Sequence, residues 1–436
     1  MIVGAYRYRI NLYLHFRIIL FSSIQFNRKS ASLSMATRKK LVAVTCQAVC
    51  SMSSTLTSAA RNSQDENVYV VPQSFRDALA CHLYMLYTIM IFMESETKAV
   101  KSLGNVVSAK GKNKTQEKER LAEVQDAQMS REACASAMLA AANAMAWNKS
   151  NLWKRGVPDE NVISLPCRIA YQMLENATGA VARKLASADI AMQMIAATLD
   201  SADCLLNTVI SALVDMLHSF EHMAPLAADL CCLVKEEPQN KLAIELLREI
   251  GRLDAGAAAV SDTSGKASGI RNVAPFINEL AEKKPQLVLE HIALVLPHLQ
   301  HEPYNLRSAI VVAIGHLLIR CVDHNGAEED EDEDEGADAD ADADSSDLVG
   351  ARKSKAKKIS DIKTSLYDIL LEHVYDVSSY TRVAVMKTWA ALIEAQSLPV
   401  DKLVAVTELA IDRLQDKTVM VRRSAMQVSQ FCLLST

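Results

Sequence analysis

Basic side chains grouped near the C-terminal end of the sequence have the chemistry to bind a phosphate backbone. They are Arg382, Lys387, Lys417, Arg422 and Arg423. Guanidinium and ammonium groups neutralise phosphates without reading bases, so such a group favours DNA or an acidic protein partner. The same residues could instead cap helices or form exposed ion pairs, which contribute little to binding. The sequence leaves both interpretations open.

A second basic group follows an acidic run. Its members are Arg352, Lys353, Lys355, Lys357 and Lys358. Short Lys/Arg-rich segments are typical of nuclear import signals and of nucleic-acid tethers, although this one could simply neutralise its acidic neighbour. That neighbour, residues 328–347, carries 13 Asp and Glu and no base. The formal charge of −5 is therefore misleading, because outside this run 47 Lys and Arg stand against 39 Asp and Glu.

Motifs for catalysis or metal binding are missing from the sequence. There is no P-loop, dinucleotide-binding glycine pattern, HExxH or GxSxG motif. His218 and His222 have the spacing of one helical face but lack the accompanying acid of HExxH. The alternating aspartates at 338–344 lack the turn glycine and the final glutamate of a calcium loop. We therefore expect no catalytic residue, no cofactor, no metal site and no small-molecule substrate.

The ten cysteines are scattered and form no CxxC pair. A zinc site would need clustered ligands at such a spacing. We interpret the cysteines as reduced thiols in the core of a cytosolic or nuclear protein.

The elements that must position the first basic group repeat at an interval of 40 residues. The apolar positions of 366–376 coincide with those of 406–416, and Arg382 coincides with Arg422. Each unit predicts two helices, and a single hairpin cannot cover its own apolar face. A repeat of this length is typical of HEAT and armadillo proteins. The predicted fold is therefore all-α, a HEAT-repeat α-solenoid (armadillo-like superhelix) with an irregular helical N-terminal region.

Three residues of these repeats carry specific expectations. Asp376 and Asp416 stand in equivalent turns, where a short acceptor side chain can cap the helix that follows. Trp389 lies in the second helix of its unit and is expected in the core rather than in a ligand platform.

Composition and periodicity divide the chain into five predicted segments. They are an atypical extension (1–34), a helical N-terminal region (35–185), HEAT repeats (186–323), an acidic-then-basic disordered insertion (324–358) and further HEAT repeats (359–436). Residues 1–34 contain no acid and precede an ordinary start at Met35. This favours an upstream extension of the reading frame, disordered or artefactual, over a targeting segment.

One apolar stretch, Ala78 to Met93, requires a decision about membranes. It is somewhat short for a span, and charged residues flank it closely at Arg76, Asp77 and Glu94. We predict a buried helix and no membrane partner.

Several stretches resemble the HEAT-repeat, non-SMC subunit 1 of the condensin I complex. They are Ser268–Pro285, His298–Ala309, Val374–Trp389 and Leu409–Arg423, with Asn151–Trp153 and Arg168–Asn176 in the N-terminal region. The resemblance covers roughly residues 40–436 and excludes the N-terminal extension and the acidic run. Members of this family are much longer, so the resemblance implies an N-terminal portion whose last residues fall inside the solenoid.

The resemblance also implies what such a chain does. Subunits of this family are scaffolds, not enzymes. They bind the kleisin and SMC subunits of condensin and contact chromatin, through its DNA or its histones, for mitotic chromosome condensation. Their implied location is the nucleus and the chromosomes, with a cytoplasmic pool. The repeat alone leaves open another HEAT-repeat adaptor, such as a nuclear transport receptor or a phosphatase scaffold.

Overall fold

The computed structural model describes residues 35–62, 71–104, 114–153, 157–178, 186–235, 241–253, 266–300, 304–321 and 345–435. All regular structure in these ranges is helical, and they contain no β-strand. The helices pack against their neighbours as in a HEAT-like solenoid, which confirms the predicted fold class. The predictions for residues 1–34 and for the acidic run as far as residue 344 fall outside the described residues.

The N-terminal helices are α1 (Met35–Asn62), α2 (Gln73–Gly104), α3 (Lys114–Trp147), α4 (Lys149–Leu152), α5 (Glu160–Ile163), α6 (Leu165–Asn176) and α7 (Ala186–Ser201). They are followed by α8 (Leu206–Ser219), α9 (Met223–Leu233), α10 (Leu242–Gly251), α11 (Lys266–Lys283), α12 (Pro285–His291) and α13 (Tyr304–Arg320). The last helices are α14 (Ser345–Glu372), α15 (Ser379–Glu394), α16 (Val400–Arg413) and α17 (Val419–Ser435). Short 3₁₀ turns occupy Asp203–Leu205, Ile292–Leu294, Leu296–Gln300 and His373–Tyr375.

The chain divides into two compact units. The first contains Met1–Ala212 and Leu233–Asn240, and the second contains Leu213–Cys232 and Lys241–Thr436. Helix α7 packs against α3 and α6 inside the first unit. The apolar face of α7 is thus covered by N-terminal helices, and the predicted boundary after residue 185 stays a prediction.

Within the first unit, α3 lies between α1 and α7 and also contacts α2. Its buried face is made of small and flexible side chains, Cys134, Ala137, Met138 and Ala141, all at most 1% exposed. Their spacing of three and four residues places them on one side of the helix. Small residues at this face let the neighbouring helices approach closely.

Within the second unit, the second helices of the repeats stack in chain order. Helix α13 packs between α11 and α15, and α15 packs in turn against α17, which also contacts α16. At the α13–α15 contact, a Cβ on Gly315 would lie 2.7 Å from Thr388 Cγ2, so a glycine permits this approach. Trp389 is fully buried, which confirms its predicted place in the core.

The basic segment at 351–358 differs from its prediction. It was expected inside a disordered insertion, whereas α14 already begins at Ser345 and contains it. Its alanines, lysines and arginine are good helix formers, and the segment runs directly into the apolar first helix of the next repeat. Local helix propensity therefore extends the repeat into the predicted insertion.

Two N-terminal helical segments, Thr37–Ser58 and Gln73–Ser95, are long and apolar enough to cross a membrane by length and composition, with 28% of each window buried. In α2 the buried side chains include Leu79, Leu83 and Met90, each at most 2% exposed. The helix predicted from the apolar stretch is therefore buried along one face rather than throughout. The expectation of no membrane partner stays a prediction.

Candidate partner surface and the arginine–aspartate ladder

Buried arginines link each described C-terminal repeat to the next. Arg307 on α13 donates from Nε and from the guanidinium nitrogen Nη2 to the two carboxylate oxygens of Asp376, at 3.0 and 3.2 Å. Arg382 on α15 does the same to Asp416, at 2.9 and 3.0 Å. Both arginines are less than 9% exposed. Paired donors in this geometry fix orientation as well as charge, so each pair sets the stacking of adjacent turns.

Arg382 and its repeat equivalent Arg422 also hold the turn of their own repeat. Arg382 donates to the backbone carbonyls of Asp376 and Val377, at 2.8 and 3.1 Å. Arg422 repeats this with the carbonyls of Asp416 and Lys417, at 2.7 and 3.2 Å. We call this regular set of contacts the ladder. The 40-residue equivalence of Arg382 and Arg422 thus reflects one structural task.

The aspartates of the ladder act differently from the predicted helix caps. Asp376 accepts from the backbone N–H of Ser378, and Asp416 accepts from that of Thr418, at 2.7 and 2.8 Å. Helices α15 and α17 begin only one residue later, so each carboxylate orders the turn before the helix. The carboxylate is then shared with an arginine, which a simple cap prediction did not include.

The electrostatic state of Asp416 follows from its partners. Burial alone would raise the pKa of this carboxyl, but the hydrogen bonds from Arg382 and Thr418 and the charges of Arg382 and Arg413 outweigh burial. The pKa of Asp416 is therefore lowered from its ordinary value. The carboxylate stays charged inside the repeat stack at neutral pH, as the paired geometry requires.

The structure separates the five predicted DNA or partner residues into different environments. Arg382 is 5% exposed, and its guanidinium group donates to Asp416 as part of the ladder. Arg422 is half-buried and bonded to its own turn. Lys387 on α15, Lys417 in the turn before α17 and Arg423 on α17 are exposed. For the three exposed residues, binding of DNA or a partner stays a prediction. Arg382 instead has a structural role, and its spacing in the sequence could not distinguish that role from binding.

An apolar strip borders the exposed Lys417, and sequence reasoning missed it. Val377 is 90% exposed in its turn, and Tyr380 and Met420, which are equivalent at the 40-residue interval, are 55% and 54% exposed. The Tyr380 ring stacks on Tyr304 at a centroid distance of 4.8 Å. We call Tyr304, Val377, Tyr380 and Met420 the rim. Exposed aromatic and aliphatic side chains beside a cation are typical of protein-binding surfaces.

The predicted nuclear signal is only partly described. Lys357 and Lys358 are exposed on α14. The side chains of Arg352, Lys353 and Lys355 fall outside the described part of the structure, although their backbone belongs to the same helix. The import role stays a prediction.

A buried polar cluster in the first unit was also missed. Glu94 on α2 is 2% exposed and accepts hydrogen bonds from Arg131 on α3 and from Asn176 at the end of α6. The Asn176 amide reaches Glu94 Oε2 at 2.6 Å. These residues are 37 and 82 positions apart, so no local pattern in the sequence could pair them.

Among the residues that the structure describes, no group of three or more His, Cys, Asp or Glu side chains is placed to hold a metal ion.

His218 and His222 do not share a helical face, as their spacing suggested, because α8 ends at Ser219 and His222 lies in the turn that follows. Burial lowers the pKa of His218, with an opposing effect from Asp215.

The fold and the ladder define a class, an all-α HEAT-like repeat protein whose C-terminal repeats are joined by buried ion pairs. Within this class, a family model described as non-SMC mitotic condensation complex subunit 1, N-term, matches residues 36–201. The chain is 27% identical over 368 residues to condensin-1 complex subunit CAP-D2 of Arabidopsis thaliana, covering 84% of this chain and 23% of that protein. It is 25% identical over 362 residues to condensin complex subunit 1 of Xenopus laevis, covering 82% and 24%.

A human relative, condensin complex subunit 1 of Homo sapiens, is 25% identical over 279 residues, which is 64% of this chain and 18% of that protein. These matches confirm the resemblance found in the sequence: the chain is similar to condensin complex subunit 1 proteins. It spans less than a quarter of the length of these curated relatives.

Proposed function

We propose that this chain is a non-catalytic scaffold of a condensin complex, which binds kleisin and SMC subunits and contacts chromatin DNA during mitotic chromosome condensation. The observation that carries the proposal is the similarity to condensin-1 complex subunit CAP-D2 over 84% of the chain and to condensin complex subunit 1 over 82%. The proposed location is the nucleus and the chromosomes, with a cytoplasmic pool. Helices α11, α13, α15 and α17 pack one on the next, and a stack of this kind offers an extended surface that suits docking.

The rim supports a protein partner. Its exposed apolar side chains, Val377, Tyr380 and Met420, follow the turns of successive repeats. An extended segment of a partner such as kleisin would bury these side chains and place acidic residues near Lys417. Aromatic anchors of this kind dominate the energy of many interfaces.

The exposed cations support a second contact, to DNA. Lys387, Lys417 and Arg423 are exposed within two stacked repeats. Excluding the acidic run, the chain carries an excess of eight basic residues, 47 against 39. A mildly basic surface of this kind attracts phosphates without base specificity.

Affinity capture of the tagged full chain from mitotic extract, read by mass spectrometry, tests the proposal. We expect recovery of a kleisin and both SMC proteins. A rim variant, Val377→Asp with Met420→Asp, should recover much less of them. The matched control is Val400→Asp with Val404→Asp, which adds the same two charges at exposed sites in the first turns of α16, 84% and 65% exposed in the native chain.

The outcomes separate the alternatives. Loss of capture in the rim variant, with capture retained in the control, supports the proposed docking surface. Recovery of no condensin subunit by the native chain contradicts the proposal that this part of the protein docks. Recovery of Ran or of a phosphatase core would replace the proposal with the other HEAT-repeat adaptor.

A further inference from the structure

Two cysteines from different helices of the first unit lie side by side. Cys46 Sγ on α1 is 3.7 Å from Cys134 Sγ on α3, although the residues are 88 positions apart. Cys46 is half-buried, and Cys134 is fully buried. Helices α1 and α3 share one of the main packing interfaces of this unit, so the two sulfur atoms are held in place by the core.

The environment makes the two thiols chemically different. The hydrogen bond from Cys134 lowers the pKa of Cys46, against the opposing effect of burial. The same hydrogen bond, together with burial, raises the pKa of Cys134. One turn further along α1, Cys50 has its pKa raised by burial and by the charge of Cys46. A thiol with a lowered pKa beside a buried thiol with a raised pKa is the arrangement of a reactive cysteine and its resolving partner.

We propose that Cys46 and Cys134 form a peroxide-sensitive pair that closes into a disulfide between α1 and α3. The Cys46 thiolate attacks hydrogen peroxide, which breaks the O–O bond and leaves a sulfenic acid and hydroxide. Cys134 sulfur then attacks the sulfenic sulfur, forms the S–S bond and releases the oxygen as water. In total, two thiols are oxidised and one peroxide is reduced to two waters.

The geometry requires little movement. A disulfide has an S–S distance of about 2.0 Å, so the sulfurs must approach by less than about 2 Å from their present separation. Side-chain rotation can supply part of this while the helices stay packed. The closed bond would tie together two helices far apart in sequence, which restricts the unfolded chain and stabilises the first unit. The inference does not depend on the proposed condensin function.

Peptide mapping of the reduced full chain after exposure to hydrogen peroxide tests the inference. Free thiols are blocked with iodoacetamide before digestion with trypsin. Cleavage after Lys and Arg gives the peptide 41–61, with Cys46 and Cys50, and the peptide 132–149, with Cys134. We expect these two peptides to be linked, and the link to disappear with dithiothreitol.

Two variants assign the link to its atoms. Cys50→Ser, an exposed site in the same peptide, should retain the link, and Cys46→Ser should lose it. Without peroxide, native Cys46 should react with iodoacetamide faster than Cys50, because its pKa is lowered and that of Cys50 is raised. Equal reaction of Cys46 and Cys50, or oxidation of Cys46 to sulfinic acid without a link to Cys134, would overturn the inference.

Discussion

Basic residues at the starts of the second helices fall into two groups that the sequence does not separate. Arg307 and Arg382 are buried, and each is paired with an aspartate from the following turn. Lys417 and Arg423, close by in the chain, are exposed. The difference is position within the 40-residue repeat, because Lys417 and Arg423 are equivalent to Val377 and Val383 and not to the arginines of the ladder. An arginine that recurs at the repeat interval in such a solenoid is therefore evidence for stacking before it is evidence for a binding surface.

The largest effect should follow from breaking one buried pair of the ladder. We expect Arg382→Met to lower the free energy of unfolding by about 3–5 kcal/mol, because the buried Asp416 would lose its paired donors and keep only the more distant Arg413, at 3.5 Å. Chemical denaturation followed by circular dichroism measures this loss. The double variant Arg382→Met with Asp416→Leu should lose less than the single variant, since no charge is left alone. An equal or greater loss of unfolding free energy in the double variant would show that Arg382 does not stabilise the fold through its pairing with Asp416.

The buried cluster of the first unit provides a smaller version of the same test. Glu94→Gln removes the charge that faces Arg131 but keeps a side chain that can bond Asn176. The expected loss of unfolding free energy is about 1–3 kcal/mol. The matched control is Glu132→Gln on α3, an exposed site where a change within about 0.5 kcal/mol is expected. A comparable loss of unfolding free energy in both variants would contradict a stabilising role of the Glu94 cluster.

A change in pH should sharpen the comparison through Asp416. Its pKa is lowered in the folded chain, so the ion pair contributes fully above the ordinary carboxyl pKa of 3.8. The contribution is lost as the pH falls from that value through the lower folded pKa. The stability difference between native chain and Asp416→Asn should therefore shrink below about pH 4. Thermal unfolding of both proteins between pH 3 and pH 7 measures this difference, and a gap that widens towards low pH would contradict the assignment.

Periodicity in the sequence predicted the helical repeats, the 40-residue equivalence and the buried Trp389, because these depend on local patterns of apolar residues. It did not predict that Arg382 would form a buried ion pair with Asp416, because this pairing depends on how two repeats stack. The Glu94 cluster and the Cys46–Cys134 contact could not be predicted either, because they join residues on helices far apart in the sequence. The helix at 345–358 was missed because an acidic, low-complexity neighbour outweighed the good helix formers that follow it.

The division between buried and exposed cations is tested most directly by the salt dependence of DNA binding. We would titrate a short fluorescent DNA duplex with the native chain and with Lys387→Ala/Lys417→Ala/Arg423→Ala at several salt concentrations. If all three cations contact phosphates, the log–log slope should fall by roughly 2.7 in magnitude, about 0.9 for each, while the unfolding midpoint stays unchanged. The exposed Arg252→Ala, beyond the end of α10, serves as the control and should leave the slope unaltered. A triple variant with the native slope, or a control that reduces it equally, would contradict the assignment of DNA contact to the exposed cations.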